Sequence, residues 1–399
     1  MQKKQWQMFS STLGFISTLQ AGGTGRCYYA KGCTQPTLYS SCYAAMARHL
    51  LGNLQTLDKA EREAWGHYLN SHQDEDGLFR DPVIFDQGWY KNDPLSCGRP
   101  HLTCHGIAAL ACLGATAQKP FSWLAPWLTI DGVIRWLEER DWGERVAWTG
   151  NEIMNIGTLL QYARDVHNDS QAGKAVSTLL DWLSTHRINP KTGVWGDVDI
   201  TNPIWRSHAV QAAYHWWPLF FYDGVTPPHI EHSIDTVLAT QNPNGGFGWG
   251  VHNSADPFMS SACEDIDSID PLCRMMQHTN YRRTDIETTL AKAADWVLTN
   301  RMPDGGFVFI RNRPFEYGHP QLRGETDQGA MFPTWFRLLS LALIAKALPE
   351  HALAAIPWQF VRCPGMQFWN DTAHTPAKRS ENEEVDSADA RKTQHDTAH

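Results

Sequence analysis

The sequence predicts an all-α fold in which six helix pairs close into a ring, an (α/α)6 toroid. Two observations predict it. One turn pattern recurs along the chain at intervals of roughly 50–60 residues, which is typical of repeat architectures. Between successive turns there is room for two helices, of which the second is the more apolar. The chain has 399 residues, 42% of them hydrophobic, and 18 Trp, enough for a large core.

Each turn begins with Gln or Asn at a helix end, continues through polar residues, and reaches a glycine that an aromatic residue follows closely. The turns begin at Gln20, Gln73, Asn189, Gln241 and Asn300, and a degenerate copy at Glu139–Gly143 fills the double interval. Glycine tolerates the positive φ that follows a helix end, and the aromatic residue is expected to pack under the next helix pair. We therefore interpret these Gly-aromatic turns as structural.

The helices follow from apolar periodicity between the turns. The outer helices are predicted at Trp6–Leu19, Ala60–Ser71, Ile130–Arg140, Gly173–His186, Ile230–Thr240 and Asp285–Thr299. The inner helices are predicted at Leu38–Leu54, Leu102–Leu113, Asn151–Val166, His208–Tyr222, Asp265–His278 and Met331–Leu348. Because such pairs cannot bury their apolar faces alone, closure of the ring is the expected solution, with the N-terminal helix packed on the last repeat.

Composition limits the partners and the location. We predict one toroid domain over residues 1–365 and a polar, disordered tail over 366–399, where apolar residues are few. The net charge of −9 argues against a nucleic-acid partner. The sequence shows no signal-peptide pattern and no apolar run of membrane-spanning length, so we expect a cytoplasmic protein with no integral membrane segment. Peripheral contact with a membrane stays open.

An acidic cluster stands out near the start of the fifth inner helix. It comprises Glu264, Asp265, Asp267 and Asp270. Carboxylates at a helix N-terminus are stabilised by unpaired backbone N–H groups, which is one interpretation. The other is an acid site, because neighbouring buried carboxylates cannot all ionise cheaply and one keeps its proton near neutral pH.

If the ring is correct, the N-terminal ends of the inner helices converge at one mouth of the central hollow. Polar and aromatic residues near those ends are the predicted substrate-binding residues: Tyr28, Tyr39, His101, His105, Asn151, Arg206, His208 and Trp335. Burying such groups without partners would be costly, so the sequence predicts a polar-mouthed pocket. The aromatic run from Tyr214 to Tyr222 is instead expected to pack in the core.

The repeated turns and helix pairs, over roughly residues 5–355, resemble the prenyltransferase and squalene-hopene cyclase repeat superfamily. In its class II terpene cyclases an Asp-x-Asp-Asp motif protonates a polyene. Asp265-Ile266-Asp267-Ser268 matches the first three positions and departs at the fourth. The resemblance implies Asp267 as proton donor and Asp265 as its partner. In the superfamily's protein prenyltransferases a zinc-binding Cys stands where this chain has Asp267, so we expect no metal and no other cofactor.

Three functions compete. The favoured one is a class II-type terpene cyclase acting on an isoprenoid, with Asp267 as general acid and Asp265, Asp270 and Glu264 raising its pKa. A closed aromatic chamber would favour it.

The second is a carbohydrate-active toroid enzyme, a lyase, epimerase or hydrolase on an acidic glycan. His105 or His208 would act as base, and Arg206 would neutralise a uronate. The third is a non-enzymatic scaffold, in which the acidic cluster would face solvent or pair with Arg282 or Arg283.

Overall fold

The computed structural model describes residues 2–252 and 259–370. Within these residues it contains thirteen α-helices, some short 3-10 turns and one two-stranded antiparallel ladder. The helices are α1 (Gln2–Thr18), α2 (Leu38–Leu50), α3 (Lys59–Asn70), α4 (Gly88–Asn92), α5 (Arg99–Leu113), α6 (Ile130–Glu138), α7 (Val146–Val166), α8 (Ser170–Thr185), α9 (Pro203–Tyr222), α10 (Ile230–Leu238), α11 (Ala262–Met275), α12 (Arg283–Thr299) and α13 (Met331–Ala347). The strands are β1 (Phe315–Glu316) and β2 (Arg323–Gly324).

Six inner helices form a closed ring. Helices α2, α5, α7, α9, α11 and α13 each contact the next in this order, and α13 contacts α2. The remaining long helices pack outside the ring, for example α3 on α5, α8 on α7 and α12 on α13. The predicted all-α toroid is confirmed. Helices α7 and α9 begin about one turn before their predicted starts, and α9 does so because Pro203 occupies a first-turn position that proline suits.

The predicted Gly-aromatic turns have a common geometry. In two of them, the residue that starts the turn pairs with the aromatic residue through an isolated antiparallel bridge: Gln73 with Phe79, and Gln241 with Phe247. Gly245 within the second turn has φ of +99°, a conformation that other residues rarely adopt. Phe79 and Phe247 are fully buried, so the turns fasten helix ends to the core as expected.

In three of the turns, a second contact connects the turn to the inner helix that follows it. The backbone N–H of the turn aromatic donates to a side-chain oxygen in the first two turns of that helix: Phe79 to Thr103 at 2.9 Å, Phe247 to Asp265 at 3.0 Å and Phe307 to Thr334 at 3.0 Å. We call Thr103, Asp265 and Thr334 the turn-bonding residues. Residues two positions apart on a helix point about 200° apart, so the residue two positions after each one faces the hollow.

The packed part of the chain extends past the predicted domain boundary at residue 365. Residues 366–370, assigned to the polar tail, lie against the C-terminal ends of the inner helices. Gln367 accepts a hydrogen bond from the indole of Trp335 at 2.6 Å, and the guanidinium of Arg274 stacks on Phe368 at 4.0 Å. These contacts hold residues 366–370 against the ring, although the sequence that follows them is polar. The rest of the predicted tail, 371–399, lies outside the described residues.

A further expectation concerns location. Among the helices of the described residues, we find none with the length and apolarity to cross a bilayer. All nine cysteines lie in described parts of the chain and form no disulfides. The cytoplasmic location and peripheral membrane contact stay predictions.

Replacing Gly245 by Ala should destabilise the protein more than replacing Gly114 by Ala. Both glycines have positive φ, +99° and +77°, so both replacements carry a backbone cost of about 1–2 kcal/mol. A Cβ on Gly245 would lie 2.6 Å from the carbonyl oxygen of Lys292, whereas one on Gly114 would meet nothing within 4 Å. Urea denaturation of both variants measures the difference, and equal losses would contradict a turn pressed against α12.

Candidate active site

The hollow of the ring contains a chamber at the N-terminal ends of the inner helices, with a cavity volume of about 40 Å³. Its aromatic lining consists of Trp89, Trp148, Tyr214, Tyr317, Phe332 and Phe336. Its polar lining consists of His101, His105, Asn151, Gln211, His215, His252 and Asp267, and Cys97, Cys263 and Met366 complete it. No Lys or Arg is among these described lining residues. We call this space the first chamber.

Asp267 is the one carboxylic acid in the described lining of the first chamber. Its side chain is 3% exposed, and its Oδ2 atom has no hydrogen-bond partner among the described residues. Burial raises the pKa of Asp267 well above the usual aspartate range, and the charges of Glu264, Asp265 and Asp270 raise it further. Both effects favour the protonated form of Asp267.

Asp265 points away from the chamber, although it was predicted to act beside Asp267. It accepts hydrogen bonds from Phe247 N–H, from the indole of Trp296 at 2.9 Å and from Arg337 at 2.8 Å. Arg337 also donates to the carbonyls of two residues ahead of α13. Burial raises the pKa of Asp265 and lowers that of Arg337, and their mutual attraction opposes both shifts. Asp265 therefore joins the turn, the outer helix and the neighbouring inner helix.

The other two acidic residues also have partners. Glu264 and Ser261 form a reciprocal capping box at the start of α11, as the helix-start interpretation predicts. Burial raises the pKa of Glu264 to about 7, and Glu264 shares a small cavity of about 10 Å³ with Asp267. Asp270 forms a buried ion pair with Arg274. Burial raises the pKa of Asp270, and the Arg274 guanidinium opposes that shift.

The scaffold hypothesis placed the acidic cluster in solvent or against Arg282 and Arg283, and the structure contradicts it. All four acidic residues are buried. Arg282 pairs instead with Asp235 and Asp285 on the surface, and Arg283 pairs with a glutamate of its own helix.

Two histidines of the first chamber have a defined tautomer. His105 Nδ1 lies 2.8 Å from the carbonyl oxygen of His101, and His215 Nδ1 lies 2.6 Å from that of Gln211. A carbonyl only accepts, so Nδ1 carries the proton and Nε2 is left as a base. Burial lowers the pKa of each to about 4, so both are neutral at neutral pH. No group of three His, Cys, Asp or Glu within the described ranges is arranged to hold a metal ion.

Solved structures resemble the chain along most of its length. A type II terpene cyclase from Scytonema superimposes with a TM-score of 0.50 at 13% identity, covering 86% of this chain and 97% of that chain. This chain shares the fold of a type II terpene cyclase. Such identity establishes the fold only.

Two further structures align less closely. An α-mannanase from Bacteroides thetaiotaomicron gives a TM-score of 0.47 at 11% identity, covering 88% of this chain and 97% of that chain. A protein from Actinoplanes gives a TM-score of 0.45 at 14% identity, covering 86% of this chain and 98% of that chain. No family model matches the sequence, and neither does any curated protein.

Several predicted substrate-binding residues converge within this toroid. His101, His105 and Asn151 line the first chamber. Tyr39 lies behind His101, with 2.6 Å between its hydroxyl and His101 Nδ1. Trp335 lines a neighbouring space. Their roles as substrate ligands stay proposals.

Three predicted residues lie elsewhere, which corrects their expected position. The guanidinium of Arg206 donates to the carbonyls of Ile200 and Ala239, because position 206 lies about half a turn around α9 from the chamber-facing His215. His208 is on the chamber-facing side of α9 but lies two turns before His215, nearer the start of the helix. There its ring contacts the carbonyl of Gly250. Tyr28 is half-buried beside the first turn, where its N–H donates to the carbonyl of Leu19.

Sequence reasoning missed the chamber residues of α9, because Tyr214 and His215 belong to a run assigned to core packing. The neighbouring Trp216 and Trp217 do lie in the core against Trp195. A signal was present, since Gln211 and His215 are polar, four residues apart and surrounded by apolar residues. Nothing comparable marked Trp89, Tyr317 or Met366, which come from a short helix, a loop and the C-terminal segment.

Asp265→Asn should destabilise folding strongly. The change leaves the Arg337 guanidinium buried without its counter-charge, and breaking one partner of a buried ion pair costs about 3–5 kcal/mol. Urea denaturation measures the loss. The matched control is Asp235→Asn, which disrupts a half-exposed pair with Arg282 and should cost less than about 1 kcal/mol. Similar losses of unfolding free energy in the two variants would contradict a stabilising role for the buried Asp265–Arg337 ion pair.

Asp267→Asn should gain stability relative to the unchanged protein as pH rises. The folded protein holds the Asp267 proton more tightly than the unfolded chain, whose aspartates titrate near about 3.9. Protonated Asp267 therefore contributes fully to the free energy of unfolding below the pKa of the unfolded chain. This contribution is lost as pH rises toward the raised pKa of the folded protein. The asparagine amide does not ionise, so residue 267 of the variant causes no loss of stability as pH rises. Urea denaturation at about pH 5 and pH 8 tests this, and a pH-independent difference would contradict the raised pKa.

Proposed function

We propose that this protein is a class II-type terpene cyclase, in which Asp267 protonates an isoprenoid held in the first chamber. The observation that carries the proposal is a buried carboxylic acid, Asp267, which lines an aromatic chamber and has one oxygen without a partner among the described residues. An unpaired buried acid is costly to keep, which favours a catalytic role over a structural one. The shared toroid fold supports the same class of enzyme.

The first step is proton transfer from Asp267 to a carbon–carbon double bond of the isoprenoid. The π electrons form the new C–H bond, the neighbouring carbon becomes a tertiary cation, and Asp267 becomes a carboxylate. A second double bond then attacks that cation and closes a ring. Nearby acidic residues disfavour the Asp267 carboxylate, which keeps Asp267 in the protonated form that a proton donor needs, although the same raised pKa makes it a weaker acid.

The aromatic residues of the chamber would stabilise the successive cations. An aromatic ring face attracts a cation within about 6 Å of its centre. Phe332 lies between Tyr317 and Phe336, with ring centres 4.7 Å and 4.8 Å away. Trp89 and Trp148 contribute two more ring faces at half-buried positions. The rings also exclude water, which would otherwise capture the cation.

The reaction ends when a base removes a proton from carbon. His105 and His215 are neutral and offer Nε2 within the same chamber as Asp267. One proton enters from Asp267 and one leaves to a histidine, so the net reaction is an isomerisation. Exchange with solvent then returns the proton to Asp267.

The lining also points to an isoprenoid with an uncharged polar group. Asn151 Oδ1, Gln211 Oε1 and the Tyr214 hydroxyl are buried without partners among the described residues, so a ligand that bonds to them would recover their hydrogen bonds. The described lining contains no Lys or Arg to neutralise a diphosphate. A hydroxyl, phenol or carbonyl group suits the chamber better.

The alternative is a carbohydrate-active enzyme, a lyase, epimerase or hydrolase acting on an acidic glycan. The same unpartnered amide and hydroxyl groups could bond to sugar hydroxyls, and His105 could act as base. However, Arg206, the residue expected to neutralise a uronate, lies away from the chamber. The acidic glycan is therefore the weaker candidate.

Incubation with isoprenoids in D₂O tests the proposal. The panel contains geranylgeraniol, geranylgeranyl diphosphate and geranylgeranyl dihydroxybenzoate, the substrate bound to the Scytonema enzyme. We expect a cyclic product that carries one deuterium, formed from the alcohol or the phenolic compound in preference to the diphosphate. Asp267→Asn should reduce its formation by roughly 10²–10⁴-fold, whereas the surface variant Asp285→Asn should not.

Unchanged turnover by Asp267→Asn, or a product without deuterium, would refute Asp267 as the acid. Consumption of an acidic glycan in a parallel panel, with no reaction of any isoprenoid, would favour the alternative.

A further inference from the structure

A second chamber lies beyond the first, toward the C-terminal ends of the inner helices. Its cavity volume is about 20 Å³. Its lining is mainly apolar and consists of Met46, Cys104, His105, Ala108, Met154, Thr158, Trp335, Gly365, Met366 and Gln367. Of the described residues, only His105 and Met366 line both chambers. These two side chains therefore form the partition between them.

The two halves of the partition differ in freedom. The ring of His105 is fixed by its hydrogen bond to the His101 carbonyl and by edge contact with Trp335, at 5.5 Å between ring centres. The thioether of Met366 has no such bond, and methionine is the most adaptable of the large apolar side chains. Met366 is thus the adjustable half of the partition.

The backbone that carries Met366 is firmly held. Arg274 donates to the Met366 carbonyl at 3.1 Å, and Asp270 holds Arg274. The next residue, Gln367, accepts from Trp335 and donates to the carbonyl of Met46 at 3.2 Å. Asp270 therefore acts as a positioning residue for the C-terminal segment, which accounts for the fourth carboxylate of the acidic cluster.

We propose that Met366 sets the length of the hydrocarbon chain that the protein accepts, by closing the second chamber to ligands of the first. The second chamber is then an apolar site for the end of a longer chain, and it becomes available when the Met366 side chain is shortened. The hydrocarbon nature of the ligand rests on the proposed terpene cyclase function, but the partition itself requires only the geometry of the two chambers.

The test is binding of straight-chain alkan-1-ols of increasing length, measured by calorimetry, to the unchanged full-length chain and two variants. Each methylene buried in an apolar site strengthens binding about fourfold, which corresponds to ~0.8 kcal/mol. In the unchanged protein, affinity should stop rising at the alkanol length that fills the first chamber. In Met366→Ala, affinity should continue to rise with longer alkanols. Met154→Ala is the matched control, because Met154 lines only the second chamber and its loss leaves the partition in place.

In Met154→Ala, the gain in affinity should stop at the same alkanol length as in the unchanged protein. The proposal is overturned if Met366→Ala also stops there, if Met154→Ala extends the range equally, or if no alkanol binds the unchanged protein. If Met366→Ala does not fold, Met366→Val removes less of the side chain and should give a smaller shift in the same direction. Alkanols are not cyclised, so a shift in binding stands even if no isoprenoid is converted.

Discussion

The hydrogen bond between the turn N–H of Phe247 and the side chain of Asp265 is the contact on which the site depends. It fixes the rotation of α11 about its axis, and Asp267, about 200° further round, must then face the hollow. The same bond recurs elsewhere in the ring. Residues two positions after the turn-bonding residues all line the first chamber: His105 after Thr103, Asp267 after Asp265 and Phe336 after Thr334.

In α11 the turn-bonding residue is a carboxylic acid, whereas threonine serves in the two other helices. A threonine hydroxyl can be buried without a counter-charge, but Asp265 needs one and finds it in Arg337. The choice has a consequence for chemistry, because Asp265 is one of the charges that raise the pKa of Asp267. The contact that orients α11 therefore also favours the protonated form of the acid two residues away.

Burial gives the chamber its acid and its bases together. Desolvation disfavours charge, so it raises the pKa of Asp267 and lowers those of His105 and His215. The same burial thus favours the protonated form of the acid and the neutral form of both bases in one chamber, which suits the proposed proton transfer to and from a hydrocarbon. At the far end of that space, Met366 limits its length.

The helix pairs, the Gly-aromatic turns and the acidic cluster could be predicted from the amino-acid sequence, because glycine conformation and apolar periodicity are local properties. The sequence did not reveal that Asp267 faces the hollow while Asp265 is bonded outside it, or that His215 lines the chamber and Arg206 does not. Those outcomes depend on the rotation of each helix about its axis. Contacts between residues far apart in the chain, such as Asp265 with Arg337, fix that rotation, so it becomes visible only in the folded protein.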